Sequence, residues 1–133
     1  MSIKNVSFIG LGVMGYPMAG HLQKNGYNVT VFNRTDSKAK KWVEEYGGQM
    51  GKTPNEACLN AEIVFMCVGR DEDIIEVMEG NNGILSSAKG GLTIVDHTTA
   101  SAEIARTYFT KLQGKNISFL DAVLILFDLT NFD

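Results

Sequence analysis

The hexapeptide Gly10-Leu11-Gly12-Val13-Met14-Gly15 spaces three glycines as G-x-G-x-x-G. Glycine allows turns and close approaches that a Cβ forbids, so this spacing can bare main-chain N–H groups toward an anion. Gly10 would let the chain turn sharply. Gly12 would admit a pyrophosphate to the backbone amides, and Gly15 would let the next helix pack closely. Such glycines also occur in plain structural turns that bind nothing, so the surrounding sequence has to decide.

Three further segments offer polar groups. A nucleotide with free ribose hydroxyls usually meets an Asp or Glu about twenty residues after such a turn. Here that place reads Asn33-Arg34-Thr35, with no carboxylate. The Arg34 guanidinium suits a 2′-phosphate and can stack on adenine, while Asn33 and Thr35 can hydrogen-bond phosphate or ribose. This favours NADP, with NAD as the alternative; the missing acid also counts against FAD. Cys67, Val68 and Gly69 end an apolar run and would pass near the ribose and nicotinamide. Thr98 or Thr99, in Asp96-His97-Thr98-Thr99, could bond the nicotinamide-side ribose or a substrate.

No catalytic residue is legible. His97 reads as a strand-end histidine and His21 as a packing or partly exposed helix residue. The two cysteines, Cys58 and Cys67, lack companions at metal-ligand spacing and read as small apolar residues, so no metal is expected.

The glycine turn needs a strand before it and a helix after it. Val6 to Ile9 is β-rich, and Met14 to Asn25 carries apolar residues at helical spacing until Gly26. Asn28 to Phe32 predicts a second strand and Ser37 to Tyr46 a second helix, stopped at Gly47-Gly48. Thr53-Pro54-Asn55-Glu56 reads as a capping box with proline at the first helical position, opening a short helix to about Leu59. Glu62 to Val68 predicts a strand covered on both faces. Asp71, Glu72 and Asp73 then suit the positive end of a following helix. Leu92 to Asp96, Ser101 to Leu112 and Asn116 to Leu120 complete the pattern as strand, helix and strand. Alternating strands and helices at this spacing predict an α/β, doubly wound, mostly parallel Rossmann sheet with helices on both faces. Ligands then sit at the carboxyl ends of the strands.

Composition sets outer bounds. The 133 residues suffice for one domain, and 44% hydrophobic with 20% charged residues is a globular balance. The net charge of -3, with basic residues scattered, argues against nucleic-acid and anionic-membrane surfaces. Lys4 and Asn5 interrupt the opening apolar residues before a signal peptide can form, so a cytoplasmic location is expected.

The longer run Phe8-Ile9-Gly10-Leu11-Gly12-Val13-Met14-Gly15-Tyr16-Pro17-Met18-Ala19 resembles the N-terminal signature of the β-hydroxyacid dehydrogenases, which are 6-phosphogluconate dehydrogenase-like. The similarity covers roughly residues 3 to 122. Asn33-Arg34-Thr35 looks like the cofactor-selecting turn of NADPH-using members, Asn82-Gly83-Ile84-Leu85 like the turn before the fifth strand, and Asp96-His97-Thr98-Thr99 like the segment near the nicotinamide. The resemblance implies hydride transfer between a nicotinamide cofactor and a small 3-hydroxy acid or semialdehyde. It also implies a catalytic lysine and an all-helical domain beyond the Rossmann domain.

After Asp121-Ala122, where the family continues Pro-Val-Ser-Gly-Gly, this chain reads Val123-Leu124-Ile125-Leu126-Phe127. The expected division is a NAD(P)-binding domain over residues 1–122 and an apolar tail over 123–133 that departs from the family, as a frame change or truncation would produce. Lys111 and Lys115 precede the break and do not match the catalytic lysine. Cofactor binding with little or no turnover is therefore expected. The alternative is a non-enzymatic nucleotide-binding module acting through partner association, with self-association through the apolar tail.

Overall fold

The computed structural model describes residues 3–86, 88–98 and 102–121. Thr99, Ser101 and the 123–133 tail, all invoked above, lie outside the described residues. The chain runs β1 (Asn5–Ile9), α1 (Gly15–Lys24), β2 (Asn28–Phe32), α2 (Asp36–Tyr46), β3 (Gln49–Met50), α3 (Pro54–Ala57), β4 (Ile63–Met66), α4 (Asp71–Glu79), a 3-10 turn (Ile84–Ser86), β5 (Thr93–Asp96), α5 (Ala102–Gln113) and β6 (Ser118–Asp121).

All strand pairs are parallel, in the order β3-β2-β1-β4-β5-β6. Parallel pairing needs crossovers, and the helices supply them on both faces, so the doubly wound α/β expectation holds. Val6, Phe8, Val31 and Phe65 face a core with Leu22 of α1 and Trp42 of α2. Ile9, Val64, Met66 and Ile94 face a second core with Ile74 and Met78 of α4 and Leu112 of α5. Chain direction across the sheet reverses between β1 and β4, whose registers pair Val6 with Ile63 and Ile9 with Met66. The ends of these two strands therefore form the crevice where such sheets take ligands.

Two polar side chains inside these cores donate to main-chain carbonyls of neighbouring elements. Ser7, buried in mid-β1, donates to the carbonyl of Ala57 and so ties α3 under the sheet. Trp42, fully buried, donates its indole N–H to the Tyr16 carbonyl at 3.2 Å and locks α2 onto α1.

Several boundaries differ from the expected ones for identifiable reasons. Asn116 adopts a left-handed φ of 58°. The preceding turn returns Ile117 N–H to Leu112 O, so β6 starts at Ser118 rather than Asn116. At β4 the Glu62 carboxylate accepts the N–H groups of Lys4 and Asn5, and Val68 N–H goes to Thr98 Oγ1; the strand itself is Ile63–Met66. The α3 capping box is half formed. Thr53 Oγ1 accepts Glu56 N–H at 3.0 Å, but the Glu56 carboxylate reaches one residue further back, to Lys52 N–H at 2.7 Å. The helix ends at Ala57 rather than near Leu59. The two-residue β3 was not foreseen.

Candidate functional site

The glycine turn follows β1 and opens α1, at the crevice. Gly10 N–H continues the sheet by donating to Phe32 O at 2.9 Å, after which Gly10 takes a φ of +101°. A Cβ there would lie 2.3 Å from the carbonyl oxygen of Cys67, so the turn is pressed against the end of β4. At Gly15 a Cβ would lie 2.1 Å from Gly10 O and 3.1 Å from the Phe8 ring, which is the close packing expected of the third glycine. Gly12 differs: its Cβ direction is open, with nothing within 4 Å. Leu11 is fully buried, whereas Val13, 93% exposed, and Met14 project outward.

This arrangement leaves the start of α1 with positive character and, among the described residues, no side-chain cap and no acid in its first turn to neutralise it. Free N–H groups and the helix dipole together favour an anion at such an end. The cleft before it measures about 960 Å³ and is bordered by the ends of β1, β2, β4 and β5. A cradle with an open Gly12 face and an acid-free helix start fits the pyrophosphate of a dinucleotide.

Of the residues singled out in the sequence, Gly10, Leu11, Gly12, Val13, Met14, Asn33, Arg34, Cys67, Val68, Gly69 and Thr98 all line this one cleft. Gly15 and Thr35 do not. Gly15 sits beneath the turn, and Thr35 stands at the extended N-cap position of α2. Asn33 and Thr98, read as ligand contacts, also serve as internal ties. Asn33 Oδ1 accepts Leu11 N–H at 2.8 Å and its Nδ2 donates to Thr35 O at 3.1 Å, joining the β2 turn to the glycine turn. Thr98 Oγ1 accepts Val68 N–H at 3.0 Å, and Thr98 N–H donates to the buried Asp96 carboxylate at 2.8 Å, joining the ends of β4 and β5.

His97 lines the cleft as well, but it is buried with its ring stacked on Phe65, the centroids 6.1 Å apart. His21 is exposed on α1 and outside the cleft lining. Burial pushes the Cys58 thiol up to about 12, and burial followed by the nearby Asp96 charge raises that of Cys67; both are thiols near neutral pH. Among the described residues no group of three His, Cys, Asp or Glu side chains could hold a metal ion.

The structure adds lining residues that sequence reasoning missed. Lys52, Thr53 and Pro54 come from the β3–α3 junction, and Asp73 and Glu76 from α4. Asp73 was legible only as a helix-start acid. Its carboxylate also reaches Arg34 across the cleft, with Oδ1 3.6 Å from Nη1.

Comparison with known proteins agrees with this geometry. An uncharacterized oxidoreductase of Shewanella frigidimarina is 54% identical over 117 residues, 88% of this chain and 40% of that protein. A probable mitochondrial 3-hydroxyisobutyrate dehydrogenase-like protein of Arabidopsis thaliana is 38% identical over 118 residues, 88% of this chain and 35% of that protein. The crystal structure of a putative oxidoreductase from Mycobacterium avium superposes with a TM-score of 0.79 at 25% identity, over 89% of this chain and 40% of that one. The chain thus spans about 40% or less of the length of these relatives. The family described as the NAD binding domain of 6-phosphogluconate dehydrogenase matches residues 5–124, which include every strand and helix above. This chain belongs to that family of NAD-binding domains.

Proposed function

We propose that the chain is the NADP-binding part of a 3-hydroxyacid dehydrogenase or semialdehyde reductase. The cofactor, when bound, supplies the hydride that passes to or from a small substrate carbon. The chain's own residues bind and orient it. The amides of the turn beyond Leu11, from Gly12 to the start of α1, take the pyrophosphate, since those of Gly10 and Leu11 are engaged by Phe32 and Asn33. Cys67, Val68, Gly69 and Thr98 border the path toward the nicotinamide.

The observation that carries the NADP reading is the end of β2. Its charged side chain at the cleft is Arg34, 88% exposed, in the place where an NAD-binding site usually has a carboxylate. A planar guanidinium can bond a 2′-phosphate in two places and stack on adenine. Parallel calorimetric titrations with NADPH and NADH test this. NADPH is expected to bind more tightly, with the preference lost in Arg34→Ala. Equal or tighter NADH binding overturns the selectivity, and no binding of either overturns the site.

The chain by itself is proposed to bind without appreciable turnover. Reduction of a semialdehyde needs a held substrate and a proton donor, and Lys111, the lysine on α5, is engaged by Glu79 of α4. Semialdehyde-dependent oxidation of NADPH should stay at the background rate; a saturable rate above it would refute the reading.

A further inference from the structure

Asp73, in the first turn of α4, uses its two carboxylate oxygens in different directions. Oδ2 accepts Arg70 N–H at 3.0 Å and lies where a Cβ on Gly69 would come within 2.8 Å, so the group is seated against the β4–α4 turn. Oδ1 faces the Arg34 guanidinium at 3.6 Å from across the cleft. The acid is 23% exposed and the arginine 88%, which makes Asp73 the fixed partner and Arg34 the one free to swing. Arg70 does not relieve this, since its own guanidinium pairs with Glu72 at 3.7 Å. Glu76, one turn further along α4, adds a second acidic group to the same lining.

A 2′-phosphate that pairs with Arg34 arrives beside this carboxylate. It must draw the guanidinium away from Asp73 or share it, and in either case two anions stand within a Debye length of each other. A cofactor without that phosphate brings no such conflict. We infer that Asp73 is a specificity-determining residue that holds the NADP preference down by competing with the 2′-phosphate for Arg34. The inference rests on the reading of Arg34 as the cofactor selector. It makes selectivity the balance of a three-charge contact between α4, the β2 turn and the ligand, and places one determinant outside the β2 turn.

The test compares NADPH and NADH dissociation constants for the chain and for Asp73→Asn, Asp73→Ser and Arg34→Ala, at low and high salt. Asparagine and serine keep an acceptor for Arg70 N–H while removing the charge, and thermal melts identify whichever variant retains the parental fold. Exposed pairs of this kind contribute less than about 1 kcal/mol, so tightening of NADPH by about two- to fivefold is expected, with NADH unchanged and the gain shrinking as salt is added. An NADPH:NADH ratio equal to the parental one in the neutral variants overturns the competition. So does weaker NADH binding, which would mean that Asp73 serves the ribose hydroxyls. An Arg34→Ala chain whose ratio does not fall overturns the selector reading itself. A ratio that falls there but stays put in the Asp73 variants overturns the competition alone.

Discussion

Two helix starts meet at the cleft, and they are built in opposite ways. The first turn of α1 has no acidic residue and no side-chain cap, and glycines lead into it. The first turn of α4 carries Asp71, Glu72 and Asp73, and Asp73 bonds back to Arg70 N–H. Both ends have a dipole of the same sense and N–H donors left over, α1 one fewer because Pro17 has none. At α4 the chain's own acids meet that need; at α1 nothing in the described chain does. The proposed ligand site thus differs from its neighbour in what the sequence withholds from the helix start, since both starts share the same sense of field.

The contrast can be broken most severely at Gly15. Gly15→Ala drives a Cβ into the Gly10 carbonyl, and misfits of this kind cost about 1–3 kcal/mol. Urea unfolding should show that loss together with loss of NADPH binding. Gly12→Val separates the two effects, because its Cβ direction is open. Stability should stay within about 0.5 kcal/mol of the parent. Calorimetry should nonetheless show NADPH binding weakened about tenfold or more, as a side chain would stand between the amides and the pyrophosphate.

A milder change makes α1 resemble α4. Met14→Asp supplies an acid at the bare helix start and should raise stability without cofactor by about 0.3–1 kcal/mol while weakening NADPH binding. If melting temperature and affinity rise together, the two helix starts do not differ in the way described.

The smallest effect concerns the far end of α4, where Glu79 accepts hydrogen bonds from Lys111 and from Tyr108 O–H. The Lys111 bond, then that of Tyr108, holds the Glu79 carboxyl below its ordinary value of 4.5. A depressed folded value means that the contribution is present above about pH 4.5 and fades as pH falls through the folded value. The pair is more than a third exposed, so the contribution is no more than about 0.5 kcal/mol. Stability curves of the parent and Glu79→Gln should therefore converge on acidification; parallel curves would remove the bond from the account.

Legibility in the sequence followed the range of the interactions involved. The glycine turn and β2 depend on neighbours in the chain, and Asn28–Phe32 lies where the branched residues put it. Gln49–Met50 is a strand only because Thr30 and Val31 of β2 offer it a ladder, and between Gly48 and Gly51 no alternation can show. At the site, the lining by Gly10, Gly12 and Arg34 was legible because strand ends in this topology converge. The tie from Asn33 to Leu11 and the Arg34–Asp73 pair were not, since each joins segments far apart in the chain. A polar residue at a strand end reads equally well as a ligand contact or as a brace, and only packing separates the two.

The Asn33 tie bears on how such a domain can diversify. Because Asn33 fastens the β2 turn to Leu11, the residues beyond it hang from an anchor that also shapes the anion loop. If Arg34 selects the cofactor as proposed, exchange at position 34 leaves the Asn33–Leu11 tie, and with it the shape of the glycine turn, in place. Asn33 itself lacks that freedom, since its loss would release the glycine turn and the β2 turn together.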